Sequence, residues 1–450
     1  MYKKGCPADC DNYRPISLVS ILYKVYASIL LSRLKSGGAE QRLWRRQFGF
    51  RSRRSTEDAL FIVRRRVEQA WAARNGHAFI LALDWRKAFD CISVPKLLHA
   101  LSRFGVPTAM VEAVADIYRN RQFKVEDGGH LSSARPQCAG ISQGCPLSPF
   151  LFGILMSALM TDAQAQLSTC SQAALSNGYL EDILYADDTL IIGRVGAHVK
   201  EYMKAIEQCG HECGLKIHWG KVQLVKVRTN EELTGPDGQI LSDKQSMIYL
   251  GSTVHADGRF RADVGRKLGA ATADFQALVA VWKNAGISSF RKLEIFDAVV
   301  VSKLLYSTSS AWLTKGDLRK LDGFHARCLR RILKIQPSYI SRVSNDRVRA
   351  LAKKPPFSEL VRRSQLTLLG GVLLDPGKKE LRAATFHGDT MMAETHAWVR
   401  RRGRPRHEWT SQLLAVVRKA AGNHGLTDVT SMAQWSVLVD KAIRPATVRM

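Results

Sequence analysis

Apolar residues recur three or four apart over residues 17–34. Leu18, Ile21, Leu22, Val25, Ile29 and Leu30 carry that pattern until Gly37-Gly38 stops it, which predicts a helix. A second helix is predicted to open at Ser55. Asp58 follows three residues later, the spacing at which hydroxyl and carboxylate cap each other's backbone N–H groups. Leu60, Val63, Val67, Ala70 and Trp71 form its stripe, and Gly76 ends it. The period then changes. Phe79-Ile80-Leu81-Ala82-Leu83 is a continuous apolar run of strand length that ends in Asp84, and Trp85-Arg86-Lys87-Ala88-Phe89-Asp90 reads as the start of a helix. Gly140-Ile141-Ser142-Gln143-Gly144-Cys145-Pro146-Leu147-Ser148-Pro149 is a loop running into an apolar helix over 150–159. Its glycines allow close backbone approach to a ligand. Ile183-Leu184 and Leu190-Ile191-Ile192 flank Tyr185-Ala186-Asp187-Asp188, which reads as strand, tight turn, strand. After Gly258 the pattern is helical, most clearly over 291–313 and 317–335. In the second, Leu318, Leu321, Phe324, Cys328, Ile332 and Leu333 make the apolar stripe.

Asp187 and Asp188 stand where a fold would rarely place them for stability. Adjacent carboxylates repel, and Asp is a poor strand former. An exposed acidic turn is one reading. The other is a divalent cation, which prefers carboxylate oxygens and offsets the repulsion. Asp84 ends a separate apolar strand and can meet the pair from a neighbouring hairpin. Three such carboxylates can hold two Mg²⁺ ions about 3.5–4 Å apart, an arrangement suited to nucleotidyl transfer.

These blocks, in this order, resemble the palm of a reverse transcriptase, and most closely the non-LTR (LINE-type) retrotransposon enzymes. Asn12-Tyr13-Arg14-Pro15-Ile16-Ser17-Leu18 and Gln47-Phe48-Gly49-Phe50-Arg51-Ser52-Arg53-Arg54-Ser55-Thr56 resemble the family's fingers motifs. Gly214-Leu215-Lys216-Ile217 and Tyr249-Leu250-Gly251 resemble the motifs that close the palm. The resemblance covers about residues 1–260. It implies an α+β right-hand polymerase with an antiparallel palm sheet. Fingers would occupy mainly 1–76 and palm mainly 77–260, followed by a helical thumb-like region over 261–350 and a basic C-terminal region over 351–450. Pro355-Pro356 marks a possible boundary.

The implied activity is RNA-directed DNA synthesis, adding dNTPs to a primer 3′-hydroxyl on an RNA template with two Mg²⁺ ions, or Mn²⁺ in their place. Asp84, Asp187 and Asp188 match the family's catalytic metal ligands. Phe89, five after Asp84, matches the aromatic residue that blocks a ribose 2′-hydroxyl. Gln143 and Gly144 match the loop lining the nucleotide pocket, and Arg14 matches a fingers arginine on the triphosphate. Lys221 is the candidate for the lysine near the leaving pyrophosphate, and Leu250 and Gly251 for the primer grip. Asp90 shares the motif of Asp84 but is expected to anchor the helix.

Charge agrees with a nucleic-acid partner. Lys and Arg number 67 against 40 Asp and Glu, a formal net charge of +27. Ten arginines against three acids lie between Arg42 and Arg74, and Arg51 and Arg54 are expected on a phosphate-binding surface. Arg327, Arg330 and Arg331 load the helix at 317–335, as a thumb holding a duplex would require. Arg400, Arg401, Arg402, Arg404 and Arg406 form a tract around Gly403 and Pro405 that reads as a nucleic-acid tether, an AT-hook-like element, or an address signal. No apolar run reaches the ~18–20 residues of a spanning helix, and the first residues lack the apolar core of a signal peptide. Nine scattered cysteines suit free thiols in a reducing compartment, nucleus or cytoplasm. Cys209, His211, Cys213 and His218 match no common zinc spacing.

Some positions depart from the family. His218 and Val222 stand where Asn and Thr are usual, and Arg53 where Gly is common. The chain begins at the last piece of the expected first fingers strand, with no endonuclease signature, as in a fragment of a longer element protein. An inactive nucleic-acid-binding remnant and a group II intron maturase are the alternatives to an active polymerase. The intact acids, Phe89 and Gln143 favour activity.

Overall fold

The computed structural model describes residues 2, 6–9, 12–397, 399–403, 406–422 and 426–443. The chain forms two compact units, each built from separated segments. Unit 1 comprises residues 1–59, 78–224 and 230–243; unit 2 comprises 60–77, 225–229 and 244–450. The linear division expected near residues 260 and 350 therefore differs from the compact one. Most of the arginine-rich helix Thr56–Ala72, and the stretch 244–260, fall in unit 2 with the helices that follow.

Unit 1 is α+β. Its sheet contains three antiparallel strands, β1 (Ala78–Leu83), β2 (Leu180–Tyr185) and β3 (Asp188–Gly193), with β3 between the other two and β2 at an edge. All three are largely buried; β1 is a continuous apolar run, whereas β2 carries the buried Glu181 and Asp182 and β3 opens on the exposed Asp188. The register pairs Leu83 with Thr189 on one side of β3 and Tyr185 with Asp188 on the other. The apolar helix Ser148–Ala165 packs with the sheet in a core that includes Phe79, Leu81, Phe152, Leu155, Leu184 and Ile191.

The first helix spans Ile21–Ser36, capped by Ser20. It buries Ala27, Leu30 and Leu34, while Leu18, Ile21, Leu22, Val25 and Ile29 of the predicted stripe are exposed. Spacing located this helix but not its buried face.

Unit 2 is helical apart from the hairpin Ser246–Tyr249 and Ser252–His255. The helix predicted over 291–313 begins at Ser289, passes through a π segment at Asp297–Val301, and ends at Leu305. The next spans Lys315–Ile332, opened by the Thr314–Asp317 capping box. It supplies Leu321, Phe324, Cys328, Leu329 and Ile332 to a second core with Phe275, Phe296 and Phe357. Among the described residues no helix is long and apolar enough to cross a membrane, and every described cysteine is a free thiol.

Candidate active site

Strand ends bring the three acids together. Asp84 follows β1 directly, Asp188 opens β3, and Asp187 occupies the turn between. Continuing the β1–β3 register by one residue sets Asp84 opposite Asp188. This proximity has an electrostatic consequence. The Asp188 carboxyl is pushed up to about 6, first by partial loss of hydration and then by the negative charges of Asp187 and Asp84. Asp188 is an exposed residue, so the charge repulsion is the part of this shift that a bound cation would reverse.

Several contacts fix these acids. The residues after Asp84 pair with the segment at 216–218: Arg86 N donates to Lys216 O at 2.8 Å and His218 N to Asp84 O at 2.7 Å. The Trp85 indole N–H donates to Thr189 Oγ1 at 3.0 Å, tying β1 to the residue after Asp188. The 216–218 pairing also presents Lys221, whose Nζ lies 3.3 Å from Asp84 Oδ2. That carboxylate oxygen is itself buried and accepts no hydrogen bond, because Lys221 stands at ion-pair distance without donor alignment.

An orphaned carboxylate oxygen beside two repelling acids fits a hard divalent cation. Among the described residues no group of three His, Cys, Asp or Glu side chains stands close enough together to hold a metal ion by itself. Cys209 is buried on the helix Gly196–Glu212 and accepts a hydrogen bond from Gln166.

Sequence reasoning missed Gln47. Residues 46–48 run parallel to β2, with Phe48 N donating to Leu184 O at 2.7 Å and Leu184 N to Arg46 O at 3.0 Å. This carries the Gln47 side chain, 1% exposed, to the acid-bearing turn. Its Oε1 accepts from Ala186 N at 3.0 Å and Gly49 N at 2.9 Å, and its Nε2 donates to Ala186 O at 3.4 Å. Ala186 has φ +58°, a left-handed conformation that costs a non-glycine residue about 1–2 kcal/mol. Gln47 thus clamps both polar groups of the strained residue that aims Asp187 and Asp188. The mark left in sequence is Gly49, where a Cβ would come within 2.3 Å of Ala186 N.

The glycine loop is built against the motif of Asp84. Gly140 has φ +85°, and a Cβ there would meet Asp90 O at 2.6 Å. Gln143 Nε2 donates to Asp90 Oδ1 at 3.1 Å, so Asp90 anchors the loop. Gln143 O accepts from Ser17 N at 2.7 Å, and a Cβ on Gly144 would meet Ser17 O at 2.6 Å. Phe89 is half-buried, stacked on Phe152 at 4.8 Å and edge-on to Phe50 at 6.5 Å. Arg14 is exposed.

In unit 2, Leu250 and Gly251 form the hairpin tip, both with positive φ. Tyr306 Oη donates to Leu250 O at 2.8 Å, and Arg266 donates to Gly251 O at the same distance. Arg327 and Arg331 are exposed, but Arg330 is not available to a duplex. It is 7% exposed and donates to Gln336 O, Val343 O and Asn345 Oδ1, holding the following loop. Arg64 and Arg65 of the basic stretch are likewise interior, spent on Ser252, Ser307 and Ser310. Arg51 and Arg54 donate to main-chain carbonyls of their own loop. Arg400–Arg402 and Arg406 are exposed, and Arg404 lies outside the described residues.

A family model for "Reverse transcriptase (RNA-dependent DNA polymerase)" matches residues 1–254. The chain is 26% identical to the RNA-directed DNA polymerase from mobile element jockey of Drosophila melanogaster over 74% of its own length. It is 22% identical to the Pol polyprotein from the R2 retrotransposable element of Nasonia vitripennis over 89% of its length. It spans 37% and 38% of those two relatives. Apo telomerase from Candida tropicalis is a structural neighbour, with a TM-score of 0.40 and 11% identity over 81% of this chain and 60% of that one.

Proposed function

Because the chain belongs to the reverse transcriptase family, we propose that it carries out RNA-templated DNA synthesis of the non-LTR retrotransposon type. The observation that carries the reading is the convergence of three carboxylates at the ends of β1, β2 and β3. Asp84, Asp187 and Asp188 would hold two Mg²⁺ ions. When bound, these supply a lowered pKa for the primer 3′-hydroxyl and countercharge for the pyrophosphate. Lys221 already faces Asp84 and is suited to the departing phosphates. Gln143 and Gly144 line the nucleotide pocket and Arg14 meets the triphosphate. Phe89, held by Phe152, excludes a ribose 2′-hydroxyl and makes dNTPs the substrate. Leu250 and Gly251 position the primer. RNA template and DNA primer are the partners, met by the exposed Arg327 and Arg331 and by the tract at 400–406.

Primer extension by the full chain with Mg²⁺ on RNA and DNA templates tests this. Asp187→Asn should abolish extension, a loss of several kcal/mol in transition-state stabilisation, and leave primer–template binding nearly intact. Extension within tenfold of the parent would overturn the metal assignment. An inert parent that still binds primer–template would point to a binding remnant.

A further inference from the structure

Unit 2 contains a pocket of about 710 Å³ whose walls include Trp71, Trp312, Arg259, Arg401 and Arg406. That volume lies within the roughly 300–1,000 Å³ of small-molecule and cofactor pockets. Its lining is chemically one-sided. Arg406 Cζ stands 3.6 Å from the Trp71 ring centroid, with Arg401 Cζ at 5.6 Å and Arg228 Cζ at 5.4 Å from the same ring. Arg228 spends its donors on the carbonyls of Ala70, Ala73 and Arg74, so it contributes field more than contact. Arg406 donates to Asp257 O at 2.5 Å. Arg259 and Arg401 are exposed.

Three acids, Glu68, Asp317 and Glu408, line the pocket against seven Arg and Lys side chains, so the lining keeps an excess of positive charge. Glu68 pairs with Arg65 at 2.9 Å. Asp317 accepts from the Thr314 N–H and hydroxyl. Glu408 accepts from Thr395 and Ser411. Asp257, whose charge acts on Arg406, is engaged by His255 at 2.9 Å and by Arg259 N at 2.8 Å. Burial, and then the neighbouring arginines, hold the Arg406 and Arg228 guanidiniums below the usual arginine range. Crowded guanidiniums of this kind are relieved by a bound anion. Arginine planes and tryptophan faces also stack nucleobases.

We infer that this pocket binds a single nucleic-acid strand, with phosphates on Arg259, Arg401 and Arg406 and one unstacked nucleotide against the Arg406 guanidinium, which itself covers a face of Trp71. A duplex cannot place a base inside a pocket without unstacking it, so the preference is for single strands. The site is formed within unit 2, and its occupancy is read by binding alone, so its failure and failure of the polymerase reading are distinguishable.

The test uses fluorescence anisotropy of the full chain with a labelled 12-nucleotide RNA or DNA, across a salt series. Arg259→Gln, Arg401→Gln and Arg406→Gln are combined in one variant. Single-strand affinity should fall at least tenfold, and the log–log salt slope should flatten by about 2, at roughly 0.7 for each lost phosphate contact. Duplex affinity should fall less. A 5-bromodeoxyuridine or 4-thiouridine strand cross-linked to the unmodified chain should label the peptides bearing Trp71 or Trp312, a readout that does not depend on the variant folding. An unchanged slope in a variant of parental melting temperature, or cross-links confined to other peptides, refutes the inference. So does an equal loss for duplex, which would mean a general cationic surface. Displacement of the strand by millimolar inorganic phosphate as readily as by unlabelled strand would mean a small-anion pocket, and also refutes it.

Discussion

Replacing Gln47 by Met keeps the side chain's length and volume and removes its hydrogen bonds. Two buried N–H groups, those of Ala186 and Gly49, then lose their acceptor. Each buried unsatisfied donor costs about 1–3 kcal/mol, so destabilisation of about 2–6 kcal/mol is expected. At about 2–4 °C per kcal/mol for domains of 150–250 residues, the melting temperature should drop by roughly 4–24 °C. The turn also loses the clamp that offsets the left-handed Ala186, so Asp187 and Asp188 are no longer held in place. A shift of about 1 Å in a catalytic group can cost about 10²-fold in rate. The assay pairs a melting curve with primer extension at a temperature where the variant is fully folded, across a Mg²⁺ titration. Extension should fall roughly 10²-fold and the Mg²⁺ midpoint should rise. A folded variant with parental rate and midpoint would confine Gln47 to folding. An unchanged melting temperature as well would refute the clamp altogether.

Two further outcomes follow from the same geometry. Asp188 has a raised folded-state pKa, so its ionisation opposes folding as pH rises from about 4 through 6. Added Mg²⁺ should therefore raise the melting temperature more at pH 7.5 than at pH 5, and Asp188→Asn should flatten that dependence; a Mg²⁺ effect equal at both pH values would contradict it. Phe89→Val should raise rNTP incorporation more than it lowers dNTP incorporation, measured as kcat/KM for ATP and dATP on one primer–template. Equal losses on both substrates, with a lower melting temperature, would make Phe89 a packing residue supporting Phe152.

The site was legible in sequence to different depths. Asp84, Asp187 and Asp188 stand out because they interrupt apolar strand runs where stability gives them no reason to be. The glycine loop was readable because Gly140 and Gly144 take backbone conformations that other residues resist, against Asp90 and Ser17. Gln47 was not readable as a clamp. Its role depends on a parallel pairing with residues about 140 positions away, which no local period encodes. Arg330 misled for a related reason. Its charge beside an apolar stripe reads as a solvated face, but the loop ahead turns carbonyls back onto it. The exposed apolar positions of the first helix show the same limit: spacing gives the helix, and only the tertiary partner decides which stripe is covered.

The pairing of Asp84 with Lys221 shows how an acid cluster can persist without collapsing or misfolding. Three neighbouring carboxylates need countercharge, and Lys221 supplies it to the one whose buried oxygen has no other partner. The pair is partly solvated, with the lysine side chain 62% exposed and the aspartate 39%. Exposed pairs of that kind contribute only about 0–1 kcal/mol. Lys221 therefore lowers the repulsion without locking Asp84, and a cation or a phosphate can compete for either partner at small cost. A fully buried lysine would have given a more stable site, but one that a ligand could open only by leaving a buried charge unpaired. The weak ion pair thus leaves both Asp84 and Lys221 open to competing partners of opposite charge.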